Sequence, residues 1–412
     1  MLVWLTIGVA AGLAVLLLVQ VPTVVSFLRR VWKPLQPAAD EQLPKAAVIL
    51  SLRGTDETLE RCLKALMSQN YPQYQVVIVV DHPDDPVWPT AQRLESQYGR
   101  ANVRVELLAD RLETCSLKCS SSLQAMASLD DSVGVVSLVD ADMVPHKNWL
   151  RELAAPLAEP TVGAAGGIRW YMPSQPAWGS IVRYLWNVAA ILFMYAFQIP
   201  WSGTLAFRRD AFSKAGLLEK WSKAYCEDTM TYAALKPAGM HLEFVPRGFA
   251  VNREWCSLGG FFEWCVRQML PSRLYHPAWW LIVAHGFITT LAWLAPVALA
   301  IWAAAVGQWA ILGWLAAIIV AFWIVQWLGL LLLEKSVQRV VSQRGEWTAW
   351  LSPAALVKMF LSIPLTQFMY CGVVIATMRL RWVRWRGIRY DFNGRWEMRR
   401  VDYAPFSAVA QD

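Results

Sequence analysis

Apolar residues fall along this chain in two patterns. Long, mostly apolar stretches occupy 2–27, 277–306, 309–333 and 353–378. Each reaches the roughly 20 residues needed to cross a hydrocarbon core. Between the first and second, short apolar runs alternate with amphipathic segments. "KAAVILSL" (45–52), "QVVIVVD" (75–81), "VRVELL" (103–108) and "GVVSLVDAD" (134–142) read as strands. Three of these are continuously apolar, as strands covered on both faces are. "DETLERCLKALMSQ" (56–69) spaces Leu59, Cys62, Leu63, Leu66 and Met67 for one helical face, with Thr55 or Asp56 as N-cap. Further helices are expected at 90–98, 117–128 and 146–157. Alternating strands and helices predict an α/β domain with a mostly parallel, doubly covered sheet. Ligands of such sheets bind at the carboxyl ends of the strands, where Asp81, Asp140 and Asp142 fall.

One further apolar segment, "AWGSIVRYLWNVAAILFMYAFQIPW" (177–201), is interrupted by Arg183 and Asn187. A membrane crossing here would separate Asp142 from the later carboxylates Glu227 and Asp228. We therefore expect a helix at the membrane interface or beneath the site. It either presents an acceptor at the bilayer surface or only anchors the domain.

Composition fits this division. The chain has 412 residues, 56% hydrophobic and 17% charged, which suits a soluble domain joined to membrane segments. The first stretch lacks a basic region before it and is long, so it reads as an anchor rather than a cleaved signal. The predicted layout is an anchor at 1–35, a catalytic domain at 45–250, an interfacial segment with a W-x-x-R-Q motif at 251–276, a membrane region at 277–378 and a basic tail at 379–412. Net charge is +7. Arg29, Arg30 and Lys33 follow the first stretch, and Lys335, Arg339 and Arg344 follow the third. By the positive-inside rule both loops, and the domain between, face the cytoplasm. A fourth simple crossing would put the basic tail on the opposite side. Pro364 and Lys358 interrupt the last stretch, so an in-plane or re-entrant path with a cytoplasmic tail is expected. No nucleic-acid partner is expected. Seven cysteines without a C-x-x-C pair read as free thiols, and five scattered histidines do not suggest a zinc site.

The chemistry begins at "SLVDADMVP". Two carboxylates spaced Asp-x-Asp at a strand end suit Mg²⁺ or Mn²⁺, which take oxygen ligands and leave room for phosphates. A solvated turn explains the same residues. The Glu227-Asp228 pair likewise reads as a helix cap or as a catalytic acid–base group.

The order of the pieces carries more. Asp81 and Asp140-Ala141-Asp142 precede "GGIRWY" (166–171), "WSGTLAFRRDAF" (201–212), "CEDTMTYAALKPAG" (226–239) and "WCVRQ" (264–268). Together these resemble glycosyltransferase family 2, and within it the ceramide glucosyltransferase-like membrane enzymes. The likeness spans 45–275, the flanking apolar stretches and the tail sequence "WRGIRY". It implies a GT-A fold, that is, a Rossmann-like nucleotide-diphospho-sugar transferase domain, here with N-terminal and C-terminal transmembrane helices. It implies inverting transfer of a glucose-like sugar from a UDP-linked donor to a membrane lipid. By that resemblance Asp81 contacts the nucleobase, Asp140 the ribose or phosphates, and Asp142 the metal. Asp228 of the Glu227-Asp228 pair is the general base, and Arg267 faces the diphosphate with Trp264 and Gln268 beside it.

The sequence departs from the family's Gln-x-x-Arg-Trp, keeping only Arg267 in place. Trp264 either substitutes for the final tryptophan from one turn earlier or packs on the membrane. Arg53 and Glu57, in a loop that also departs from the family's, are candidate nucleotide contacts. Lys118 aligns with a lysine near the sugar nucleotide but also reads as a surface lysine. Competing readings are a processive polysaccharide synthase of the same fold, which normally needs more spans, and an inactive membrane scaffold or transporter. A transporter would carry more ionisable residues in its spans than His285.

Overall fold

The computed structural model describes residues 1–33 and 38–406. The expected end of the anchor at 34–35, part of the linker before the first strand and the last six residues of the tail lie outside the described residues. The chain runs α1 (Leu2–Trp32), β1 (Ala46–Leu52), α2 (Leu59–Leu66), β2 (Tyr74–Val80), α3 (Trp88–Tyr98), β3 (Val103–Leu107), α4 (Leu117–Ala127), β4 (Val135–Val139) and α5 (Trp149–Ala154). It continues through β5 (Val162–Tyr171), α6 (Trp178–Phe197), β6 (Thr204–Arg208), α7 (Arg209–Lys214), α8 (Leu217–Trp221), α9 (Thr231–Leu235) and β7 (His241–Asn252). Then follow α10 (Leu258–Tyr275), α11 (Trp279–Ala305), α12 (Trp309–Ser342), α13 (Pro353–Arg379), β8 (Trp382–Trp385), β9 (Ile388–Gly394) and β10 (Glu397–Asp402).

Seven strands form one sheet in the order β3-β2-β1-β4-β6-β5-β7. Only β6 is antiparallel to its neighbours. Alternate residues of β1 serve opposite faces. Ala47 and Ile49 pack toward α4 with Leu117, Met126 and Phe207, while Ala46, Val48 and Leu50 pack toward α2 and α5 with Leu63, Leu66 and Trp149. Burial on both faces is why these strands carry no polar alternation. This is the mixed, doubly covered α/β arrangement of a GT-A domain.

Strand ends are shorter than the apolar pattern predicts. β4 stops at Val139, and Asp140–Asp142 lie in the turn, where the Met143 N–H donates to the Asp140 carbonyl at 3.1 Å. α2 begins at Leu59 rather than after Thr55 or Asp56, because Asp56 accepts from the Thr58 N–H at 2.9 Å and closes a turn ahead of the helix.

Among the described residues five helices are long and apolar enough to cross a membrane: α1, α6, α11, α12 and α13. Two of them have ends tied to the sheet domain. β5 and β6 are antiparallel, so Tyr171 and Thr204 both lie toward the carboxyl edge of the sheet, and α6 leaves that side and returns to it. α13 starts beside the domain, where Lys358 Nζ donates to the Pro176 carbonyl at 2.9 Å. It ends there too, with Arg273 donating to the Thr377 carbonyl at 2.6 Å. The tail then forms an antiparallel sheet, β10-β9-β8, on the sheet domain. Tyr390 accepts from the Leu117 N–H at 3.3 Å, and the Arg400 N–H donates to the Glu113 carbonyl at 2.8 Å. The tail therefore packs against the sheet domain.

α12 is pinned to the sheet by one buried carboxylate. Glu334 accepts from Trp170 Nε1 at 2.8 Å, Trp350 Nε1 at 2.6 Å and Gln338 Nε2 at 2.8 Å. Removing a shared acceptor strands buried donors, each costing about 1–3 kcal/mol. Glu334→Ala should accordingly destabilise the protein by about 3 kcal/mol or more, read from denaturant or thermal unfolding in detergent, and Glu334→Gln should recover part of the loss.

His276, between α10 and α11, is buried and stacks on Tyr232 at 5.6 Å. Its Nδ1 accepts from the Ala278 N–H at 3.1 Å, which only the neutral ring can do. Burial, aided by Arg395, lowers its pKa from 6.5 to about 4. The unfolded chain therefore binds the proton more readily. Stability supplied by His276 is complete above pH 6.5 and is lost as pH falls toward 4. Unfolding midpoints should drop across that window, and His276→Asn, which accepts but does not charge, should flatten the slope.

Candidate active site

Polar side chains converge on the carboxyl edge of the sheet. Arg53 follows β1, Asp81 follows β2 and the Asp-x-Asp follows β4, while Arg169 projects from β5. Trp201 and Ser202 precede β6, and Asn252 ends β7. A topological switch at β1 between its neighbours β2 and β4 opens the crevice in which ligands of such sheets bind.

At one end sits Asp81, 2% exposed. It is ion-paired with Arg53, accepts from Arg111 Nε at 3.2 Å and is approached by the Tyr403 hydroxyl at 3.3 Å. Arg53 also donates to the Arg386 carbonyl at 3.0 Å and the Ala404 carbonyl at 2.7 Å, and its guanidinium lies 5.7 Å from the Tyr403 ring and 5.9 Å from the Phe406 ring. The neighbouring Gly54 has φ +75°, and a Cβ there would meet the Phe406 ring at 2.5 Å. Glycine satisfies both constraints. Tyr403, Arg386 and Trp385 come from the tail; Trp385 and Arg386 open "WRGIRY", a stretch within the family likeness to which no role was assigned.

Lys118 stands at the centre rather than on the surface. Its Nζ donates to Asp140 Oδ1 at 2.5 Å and Ser202 Oγ at 2.9 Å, and pairs with Glu227 Oε1 at 2.7 Å. Burial would lower its pKa, but Asp140 and Glu227 outweigh burial and keep it charged. Burial also pushes the Asp140 carboxyl up, yet Lys118 and Arg169 prevail and hold it below the usual carboxylate range. Glu227 moves the other way, raised chiefly by burial and partly restored by Lys118.

Asp228 accepts from the Ser202 N–H at 2.9 Å through Oδ2 and from the Thr229 hydroxyl at 2.7 Å through Oδ1. Glu227-Asp228 does not open a helix: α9 starts at Thr231, whose N–H donates to the Asp228 carbonyl at 2.8 Å. The pair lies in the preceding turn because Asp228 bonds its own next residue instead of capping.

Along α10, Trp264, Arg267 and Gln268 share one face, and all three border the same cavity as the carboxylates. Trp264 packs edge-on against Tyr171 at 6.0 Å and Trp186 at 5.5 Å. It thus stands at the rim of the cavity. Arg267 lies 5.6 Å from the ring of Trp385, a second tryptophan supplied by the tail.

Hard oxygen donors fit a divalent cation here. Asp142 is half-buried, and beside it Asn252 Nδ2 donates to the Asp142 carbonyl at 3.0 Å. The Asn252 Oδ1 is buried without a partner, an acceptor left over for an ion or donor. Among the described residues no group of three His, Cys, Asp or Glu side chains could hold a metal. Such an ion therefore needs substrate oxygens to complete its shell. Asp140 and Asp142 are bridged by Arg169, at 3.5 Å and 3.3 Å respectively. Arg169 stood in the quoted "GGIRWY" without an assigned role. Arginine in a strand gives no sign that it faces the site.

A cavity of about 760 Å³ joins this edge to the membrane helices. Asp81, Lys118, Asp140, Asp142 and Asp228 line its polar end. Leu17 and Val24 of α1, Trp293 of α11, Gly329 and Leu333 of α12 and Ile363 of α13 line the rest.

Fold and site together define a membrane-associated glycosyltransferase with a GT-A nucleotide-sugar domain. The chain belongs to glycosyl transferase family 21, whose model matches residues 12–397. Glycosyltransferase AglE of Haloferax volcanii is 24% identical over 183 residues, 44% of this chain and 49% of AglE. Ceramide glucosyltransferase of Komagataella phaffii is 27% identical over 79 residues, 19% of this chain and 15% of that enzyme. The chain thus spans half or less of these relatives, and its likeness to ceramide glucosyltransferase is distant. Among solved structures, mannosyltransferase PcManGT from Pyrobaculum calidifontis, in complex with GDP-Man and Mn²⁺, aligns with 92% of this chain and 99% of its own. Its TM-score is 0.52 at 18% identity, a likeness of fold alone.

Proposed function

We propose that this protein is an inverting glycosyltransferase that moves a glucose-like sugar from a UDP-linked donor to a membrane lipid. The observation that carries this reading is the single cavity joining the carboxylate edge to apolar walls of α1, α11, α12 and α13. A nucleotide-sugar needs the first and a lipid tail the second. α1, α11 and α12 cross the bilayer in this reading, with the catalytic domain and tail in the cytoplasm. α6 and α13 lie along its surface, which removes the conflict between a fourth crossing and a basic tail.

Asp81 with Arg53 and Arg111 receives the base, and Asp140 with Lys118 orients the ribose or phosphates. Asp142, assisted by Asn252, would hold Mg²⁺ or Mn²⁺, whose charge would offset that developing on the leaving diphosphate. Arg267, with Gln268 and Trp264 beside it, supplies a second positive charge toward the same group. Asp228 takes the acceptor's hydroxyl proton as the new glycosidic bond forms on the face opposite the leaving group. Glu227 is tied to Lys118 and serves to position it.

Purified protein incubated with UDP- and GDP-sugars, Mn²⁺ or Mg²⁺ and a membrane lipid extract tests the proposal by mass spectrometry. A singly glycosylated lipid is expected, dependent on the cation. A high polymer would favour a synthase, and no transfer from any donor would favour a scaffold.

A further inference from the structure

Arg169 has no part in the proposed transfer step, yet among the described residues it is the cation paired with Asp142. Its guanidinium reaches Asp142 Oδ1 at 3.3 Å and Asp140 Oδ2 at 3.5 Å. It stacks on the Trp201 ring at 4.0 Å. Trp201 folds back over Gly203, where a Cβ would come within 1.9 Å of the indole, so the platform requires glycine. The Arg169 Nε is buried without a partner, which leaves the guanidinium with unused donor capacity. Two half-buried carboxylates this close in sequence repel, and a fixed positive charge between them relieves that repulsion. The same charge opposes any cation that approaches Asp142.

We propose that Arg169 is a built-in counter-ion that competes with the divalent cation for Asp142. The cation consequently binds well only together with a nucleotide diphosphate, whose oxygens complete its shell and give the guanidinium a second anion to face. This rests on the assignment of Asp142 as the metal ligand. Arg169 is a positioning residue here: it sets the order and affinity of cation binding without touching the reacting centre.

Mn²⁺ binding to the full chain in detergent, followed by the loss of free-Mn²⁺ electron paramagnetic resonance signal with and without UDP, tests it. The wild type should bind Mn²⁺ weakly alone and about tenfold or more tightly with UDP. Arg169→Gln should tighten Mn²⁺ binding in the absence of UDP by about tenfold, and the gain from UDP should shrink. Arg169→Lys retains the charge and should stay within about threefold of the wild type. Unchanged or weaker Mn²⁺ binding by the glutamine variant, or equal tightening by the lysine variant, overturns the inference. A purely structural role for Arg169 would weaken Mn²⁺ and UDP binding together. Mn²⁺ bound by neither wild type nor variant, even with UDP, instead overturns the metal assignment beneath it. If Arg169→Gln does not fold, the lysine variant still decides between charge and packing.

Discussion

Asp228→Asn should lower the rate of sugar transfer about 10²–10⁴-fold while leaving donor affinity close to that of the wild type. The amide keeps the size of the carboxylate and one acceptor for the Ser202 N–H, which Asp228 holds at 2.9 Å. It does not accept the acceptor's proton. Asp228 is better suited to that task than its neighbour. Glu227 faces the Lys118 ammonium at 2.7 Å, so protonating it would break a buried ion pair. The bonds to Asp228 come from the neutral donors Ser202 and Thr229, and the side chain opens onto the cavity. Separate measurement of kcat and of donor KM checks the expectation. A fall in kcat with KM held identifies a group acting in the transition state, whereas full activity would sink the assignment.

Much of this arrangement is written in the sequence, and what is not has physical causes. The apolar runs located the sheet, since strands buried on both faces leave an unmistakable signature at 46–52, 74–80 and 135–139. The carboxyl-edge rule then put Asp81 and Asp140 in one crevice. It did not reveal Lys118 as the link between Asp140 and Glu227, because a lysine on a helix reads the same exposed or buried. Arg169 escaped for a related reason. For α13 the conflict between tail charge and crossing number led to an expected in-plane or re-entrant path. Hydropathy measures length and apolarity, and a helix lying against a membrane-facing surface satisfies both. The tail was least legible of all. β8, β9 and β10 are short and rich in arginine, and their stability comes from packing Ile388, Tyr390 and Phe392 onto the catalytic core, a tertiary effect with no local signal.

Gly329→Phe should cut formation of glycolipid at least about tenfold while leaving UDP binding and donor hydrolysis unchanged. Gly329 lies in α12 on the wall of the cavity, and a Cβ there would meet nothing within 4 Å. A benzyl group therefore enters open space rather than a packed core. Replacing glycine inside a helix also favours the helix by a fraction of a kcal/mol, so folding is not compromised. The donor residues stand on the sheet edge and on α4 and α10, elements that α12 does not carry, so the ring obstructs only the lipid's share of the chamber. Glycolipid counted by mass spectrometry against free UDP released separates the two half-functions. If both fall together, the ring has disturbed the catalytic edge. If neither falls, the acceptor does not enter between α1 and α12, and the apolar walls serve only to hold the helices together.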